Sequence, residues 1–171
     1  MLQAETAKAS PPLRLTAAAV TAAALLVTAS PAIAIPQTSA CATESCDGND
    51  YHGMDLRKEF YTKGSLKRAN FSGANLSGVT LFGADLTEAN LRGANLTNAN
   101  LGQCNLTGAD LTDAQLDGAI MSSARFDGAT VDGADFSGVI IRKDIIEKIC
   151  ASAKGANPVT GVDTRESLFC P

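Results

Sequence analysis

From Ala69 to Gly138 the apolar positions recur every five residues. Written in fives, the chain runs ANFSG, ANLSG, VTLFG, ADLTE, ANLRG, ANLTN, ANLGQ, CNLTG, ADLTD, AQLDG, AIMSS, ARFDG, ATVDG, ADFSG, fourteen blocks without an insertion. The third residue is always Leu, Phe, Met or Val, and the first is always Ala, Val or Cys. A strand alternates every second residue and an α-helix about every 3.6, so neither explains the pattern. A strict five points the first and third residues inward and turns the chain before the next block. The small first residue sits where backbones crowd, and the larger third fills the axis. Gly, Ser, Asp and Asn at the remaining positions suit corners. Backbone groups then pair with the coils above and below, roughly 4.8 Å away. Weaker blocks flank the run, MDLRK, EFYTK and GSLKR before it and VIIRK after it. The expected fold is an all-β solenoid.

These blocks carry the A-(D/N)-L-x-x signature, and the chain resembles the pentapeptide-repeat family, well over Gly64 to Lys143 and loosely over Met54 to Lys63. The resemblance implies a right-handed quadrilateral β-helix with four blocks per coil, here about four coils. Residues twenty apart then stack into internal ladders: Phe71, Leu91, Leu111 and Val131; Leu76, Leu96, Leu116 and Phe136; Leu81, Leu101, Met121 and Ile141; Leu86, Leu106 and Phe126. Cys104 falls in an inward Ala slot and reads as a free thiol packing as a small apolar residue.

A solenoid needs a cap at each open end. After Lys143 the period stops, and Asp144-Ile145-Ile146-Glu147 has the form of a capping box. With Ile149 in register and Gly155 to end it, the spacing predicts a helix over Asp144 to Lys154 whose isoleucines plug the last coil. The remaining tail resembles the C-terminal segment of the thylakoid-lumen pentapeptide proteins of plants and algae. It shares Cys150, Gly155 with Asn157, Thr160-Gly161, Thr164-Arg165, Leu168 and Cys170. That resemblance implies a Cys150–Cys170 disulfide and a lumenal address. A bridge enclosing such a loop is worth about 3 kcal/mol in the chain-entropy model. At the other end, Cys41 and Cys46 either close a small loop that tethers the N-terminal cap or belong to a metal site. The metal reading is the poorer one, since only His52 is near and no second Cys pair follows.

The first 34 residues read as an export signal. Lys8 and Arg14 precede the apolar run Leu15–Ala29, and Ala32 and Ala34 form an A-x-A site, so cleavage is expected after Ala34. The run is short for a bilayer span, which takes about 20 residues, so no stable membrane anchor is expected after cleavage. The expected organisation is therefore residues 1–34 export signal, 35–53 N-terminal loop and cap, 54–143 repeat, and 144–171 helical cap with disulfide. The expected location is the chloroplast thylakoid lumen, or the cyanobacterial lumen or periplasm for a prokaryotic source. Removing Lys8, Arg14 and Glu5 leaves twelve basic and seventeen acidic residues, a net charge of −5. That argues against nucleic-acid binding through phosphate neutralisation. It leaves open an acidic surface that imitates DNA.

No catalytic constellation emerges. His52 is the single histidine, and one His without a base partner makes no triad. The repeat's aspartates follow its period, which assigns them to corners and solvent. The expectation is no enzyme, no metal and no cofactor. Two surface features break the monotony. Phe82, Ile120 and Ile140 occupy outward positions on one face, the two isoleucines one coil apart, and form a candidate partner strip unless the C-terminal segment folds back over it. Charge is uneven too, with Arg57, Lys58, Lys63, Lys67 and Arg68 in the first coil and six aspartates between Asp110 and Asp135. The leading functional reading is a monomeric, non-catalytic structural or interaction protein of the lumen that binds an unidentified lumenal protein or complex. The alternative is a DNA mimic that binds a topoisomerase.

Overall fold

A computed structural model describes residue 41 and residues 44–171. The export segment, the cleavage point after Ala34 and residues 35–40 lie outside the described residues. In the repeat each block of five forms one side of a four-sided coil. Twenty residues complete the circuit: fifteen parallel bridges join residues twenty apart, from Asp50–Asn70 to Ile120–Ile140. The Leu76 N–H donates to the Asn95 carbonyl at 2.7 Å, and the Asn95 N–H donates back to Ala74 at 2.9 Å. The Val79 N–H then closes the corner on the Leu76 carbonyl at 3.1 Å.

This geometry leaves one residue per side free to pair on both flanks. The expected all-β solenoid is therefore built of single bridges and turns, with no strand among the described residues. The fifth residue of most blocks takes a positive φ, as type II turns require at their third position. Asn98 (φ 57°) and Asp113 (φ 60°) accept this strain without being glycine. One coil on, a Cβ at Gly118 would meet the end of the Asn98 side chain and one at Gly133 the Asp113 carboxylate, so a larger residue there would require those side chains to turn away.

Four faces follow. Face one is centred on Tyr51, Phe71, Leu91, Leu111 and Val131, and face two on Leu56, Leu76, Leu96, Leu116 and Phe136. Face three is centred on Tyr61, Leu81, Leu101, Met121 and Ile141, and face four on Leu66, Leu86, Leu106 and Phe126. Nearly all these side chains are buried, with Ala or Cys104 closing the gaps between ladders. Each such Leu contributes on the order of 2 kcal/mol by leaving water.

Pairing begins ahead of Met54. The Cys46 N–H donates to Ser65 at 2.9 Å and Asp50 already bridges Asn70, so residues 46–53 belong to the first coil. The period is hard to see there because Cys46 and Tyr51 stand where Leu stands elsewhere, and Asn49 stands where Ala does. The aromatic rings widen the fill at this end: Tyr51 stacks on Phe71 at 4.7 Å, and Tyr61 meets both edge-on at 6.1 Å.

At the other end helix α1 spans Lys143–Cys150 and helix α2 spans Thr164–Ser167. Helix α1 is shorter than the expected Asp144–Lys154, and its N-cap is Arg142, without a side-chain cap. The capping box does not form because Asp144 lies within the first turn, where its carboxylate pairs with the Arg142 guanidinium. Ile145 and Ile149 are buried against the last coil, whereas Ile146 is only half-buried.

Candidate functional site

The residues that carry the tail's resemblance all have structural work. Cys150 and Cys170 are joined by a disulfide. Arg165 donates to the Cys150 carbonyl at 2.6 Å and to the Pro171 carbonyl at 2.8 Å, so one side chain clasps both ends of that bridge. Asn157 is buried. Its amide donates to the carbonyls of Asp113, Ala114 and Gly133 at 3.0–3.1 Å, and its oxygen accepts from Val159 and Thr160. Gly155 takes a φ of 84° beside Gly133, and the Gly133 N–H donates to Lys154 at 2.8 Å. Ser167 accepts from the Phe136 N–H at 3.1 Å. The tail thus satisfies edge groups that a further coil would have taken.

Chemistry-bearing side chains are similarly absorbed. Cys41 and Cys46 are joined by a second disulfide. Cys104 is free and buried, its thiol donates to the Leu81 carbonyl at 2.8 Å, and burial pushes its pKa up to about 12. A thiolate is therefore scarce at that position. His52 is exposed and shares a 2.8 Å hydrogen bond with Ser72. Asp85 and Asp110 each accept the hydroxyl and N–H of the threonine two residues on. Burial raises both carboxyls, but these bonds and a neighbouring basic side chain outweigh it and hold them below the ordinary value. Among the described residues no group of three His, Cys, Asp or Glu side chains comes together as a metal site.

What stays unabsorbed is apolar surface. Ile120 and Ile140 bridge each other on face three and are exposed, Ile140 by 58%. The C-terminal segment therefore leaves Ile140 open. Phe82 lies half-buried on the same face, its ring against Gly102 of the next coil. The structure adds two residues that the sequence reading missed. Phe60, in the Ile120–Ile140 column at the first coil, is 64% exposed. Phe169 is 90% exposed beside Gly138, Val139 and Ile141, at the foot of face three. Phe60 had a signal, since it shares the second block position with Ile120 and Ile140 at multiples of twenty. Phe169 had none, because the tail has no period.

Charge divides by face. Face one carries Asp50, Asp110, Asp113 and Asp132 against Arg92, which pairs with Asp110 at 3.4 Å and Asp113 at 3.9 Å. Face three carries Lys63, Arg142 and Lys143 against Glu59, all at its two ends. Between them, over coils two to four, face three has no charged residue.

The model of pentapeptide repeats matches residues 65–103 and 104–142, eight copies in all. A pentapeptide repeat protein from the Arabidopsis thaliana thylakoid lumen is 37% identical, with a TM-score of 0.75 over 78% of this chain and 92% of that one. The chain belongs to the pentapeptide-repeat family, which implies the right-handed quadrilateral β-helix. A pentapeptide repeat protein from Nostoc is 30% identical over 55% of this chain and 85% of that one, with a TM-score of 0.41. QnrB1, a plasmid-mediated fluoroquinolone resistance protein, is 17% identical over 72% of this chain and 81% of that one, with a TM-score of 0.28. A search of curated proteins found no match.

Proposed function

We propose that this chain is a non-catalytic structural or interaction module of the thylakoid lumen, and that face three is the surface through which it makes contact. The observation that carries the reading is the exposed column of Phe60, Ile120 and Ile140, joined by Phe82, on a rod whose other apolar side chains are almost all inside. Exposed apolar side chains gathered on one face mark a contact surface more often than scattered ones do. The lumenal address is supported by the export-type N-terminus and by the 37% identity to a lumenal relative.

Fractionation of the source cells tests the address. Protease-protected lumenal protein lacking residues 1–34 is expected, and full-length protein in the cytosol or stroma would overturn it. The contact surface is tested with the double variant Ile120→Asp, Ile140→Asp. Retention of the protein by thylakoid membranes or lumenal extract should fall severalfold, and unchanged retention removes face three from the proposal.

A further inference from the structure

We infer that face three is a lipid-docking surface that lies flat against an anionic bilayer. The inference rests on the contact surface proposed above and names its occupant. Three observations select a lipid surface.

The first is shape. Phe60, Phe82, Ile120 and Ile140 stand along the axis of one flat side, and the exposed Phe169 lies near Val139 and Ile141 of the last coil. From Phe60 to Ile140 is four coils, about 19 Å at the spacing of paired backbones. A bilayer interface is itself flat and accepts a row of such side chains without a matching pocket. The second is area. One side of the coil offers roughly 20 Å by 10 Å, far less than the approximately 800 Å² per partner that a stable protein interface buries. A second copy or a folded partner gains too little there, whereas binding to a lipid surface adds the attraction of basic side chains to a modest apolar contact.

The third is charge. The mature chain is acidic, yet face three carries Lys63 at one end and Arg142 and Lys143 at the other, against Glu59. Arg142 is paired with Asp144; among the described residues Lys63 and Lys143 make no ion pair. Apolar side chains flanked by the unpaired Lys63 and Lys143 are the two signals that surface binding to anionic lipid combines. Face one, with its row of aspartates, is repelled by the same bilayer. The molecule therefore presents one side to the membrane and the opposite charge to the lumen. No described helix is long and apolar enough to cross a membrane, so docking is by surface contact.

The test uses residues 35–171, the chain expected after cleavage, which excludes the apolar run of the export signal. Flotation is measured with vesicles of phosphatidylglycerol and phosphatidylcholine in equal parts, and with phosphatidylcholine alone. The protein should float with the anionic vesicles, fail to float with the neutral ones, and be stripped by high salt. Lys63→Glu with Lys143→Glu should weaken partitioning by about tenfold or more. Ile120→Asp with Ile140→Asp should do the same. Arg92→Glu removes a positive charge from face one and should leave flotation unchanged. Both lysine positions are exposed, so that variant keeps the test decisive even if the isoleucine variant folds poorly by circular dichroism. Absence of flotation with anionic vesicles overturns the inference, as does an equal loss in Arg92→Glu. If vesicles fail but lumenal extract still retains the wild type and not the isoleucine variant, face three remains the contact surface and its occupant is a protein.

Discussion

In the rod, Leu76, Leu96 and Leu116 make the same contacts one coil apart, whereas in the tail Asn157 makes contacts that no other residue repeats. The rod spreads its stability over identical neighbours, as a one-dimensional stack does. The tail concentrates it in the Cys150–Cys170 disulfide, the Arg165 clasp and the Asn157 amide. Asn157 has only two N–H groups to share among three carbonyls, so its position is fixed from several sides at once. The difference predicts how damage travels. A lesion in the middle of the rod breaks contacts on both flanks, while a lesion in the tail should free the tail and leave the upper coils paired.

The largest expected effect is therefore in the rod. Leu96→Ala empties a fully buried central slot and should cost about 3 kcal/mol, lowering the unfolding midpoint of the whole unit. A midpoint unchanged from wild type would show that the coils do not share their stability. The tail should respond next. Reduction of Cys150–Cys170, or Cys150→Ser, should remove up to about 3 kcal/mol from the cap. Hydrogen exchange should rise over 143–171 while Leu76 and Leu91 keep their protection. Exchange rising equally in the first three coils would erase the distinction between rod and tail.

The same contrast explains what the sequence disclosed. The inward ladders were legible because fourteen blocks repeat one local rule, and a stacked coil has no choice but to align residues twenty apart. The start of the first coil, residues 46–53, was not, because Cys46, Tyr51 and the polar residues between them follow the geometry with different letters. The helix start was misleading: Asp144 and Glu147 have capping-box spacing, yet the neighbouring Arg142 claims the Asp144 carboxylate. Asn157 was visible only as part of a family resemblance, since its acceptors lie 24 to 44 residues away and no local rule connects them. For the contact surface, Phe82, Ile120 and Ile140 were legible as outward apolar residues. Phe60 was masked by Tyr61 beside it, and Phe169 lies where no period assigns inside or outside.

Asp135 sits where rod and tail meet, and gives the smallest and most specific prediction. Like Asp85 and Asp110 it accepts from the residue two ahead, here the Ser137 N–H at 2.9 Å and hydroxyl at 2.6 Å. Unlike them it is buried. Burial raises its carboxyl, but the Ser137 bonds, with a contribution from Thr160, outweigh it and hold the pKa below the ordinary 3.8. A depressed folded value means that stability is complete above 3.8 and is lost as the pH falls through the folded value. Asp135→Asn should therefore be less stable than wild type near about pH 7, and the gap should narrow towards about pH 3. Urea midpoints at the two pH values measure it. With Cys150–Cys170 reduced, a loosened tail lets water reach Asp135 and withdraws Thr160, so the gap should change in size. A gap identical in the oxidised and reduced proteins would mean that the tail does not set the environment of Asp135, and that rod and tail are independent at the point where they touch.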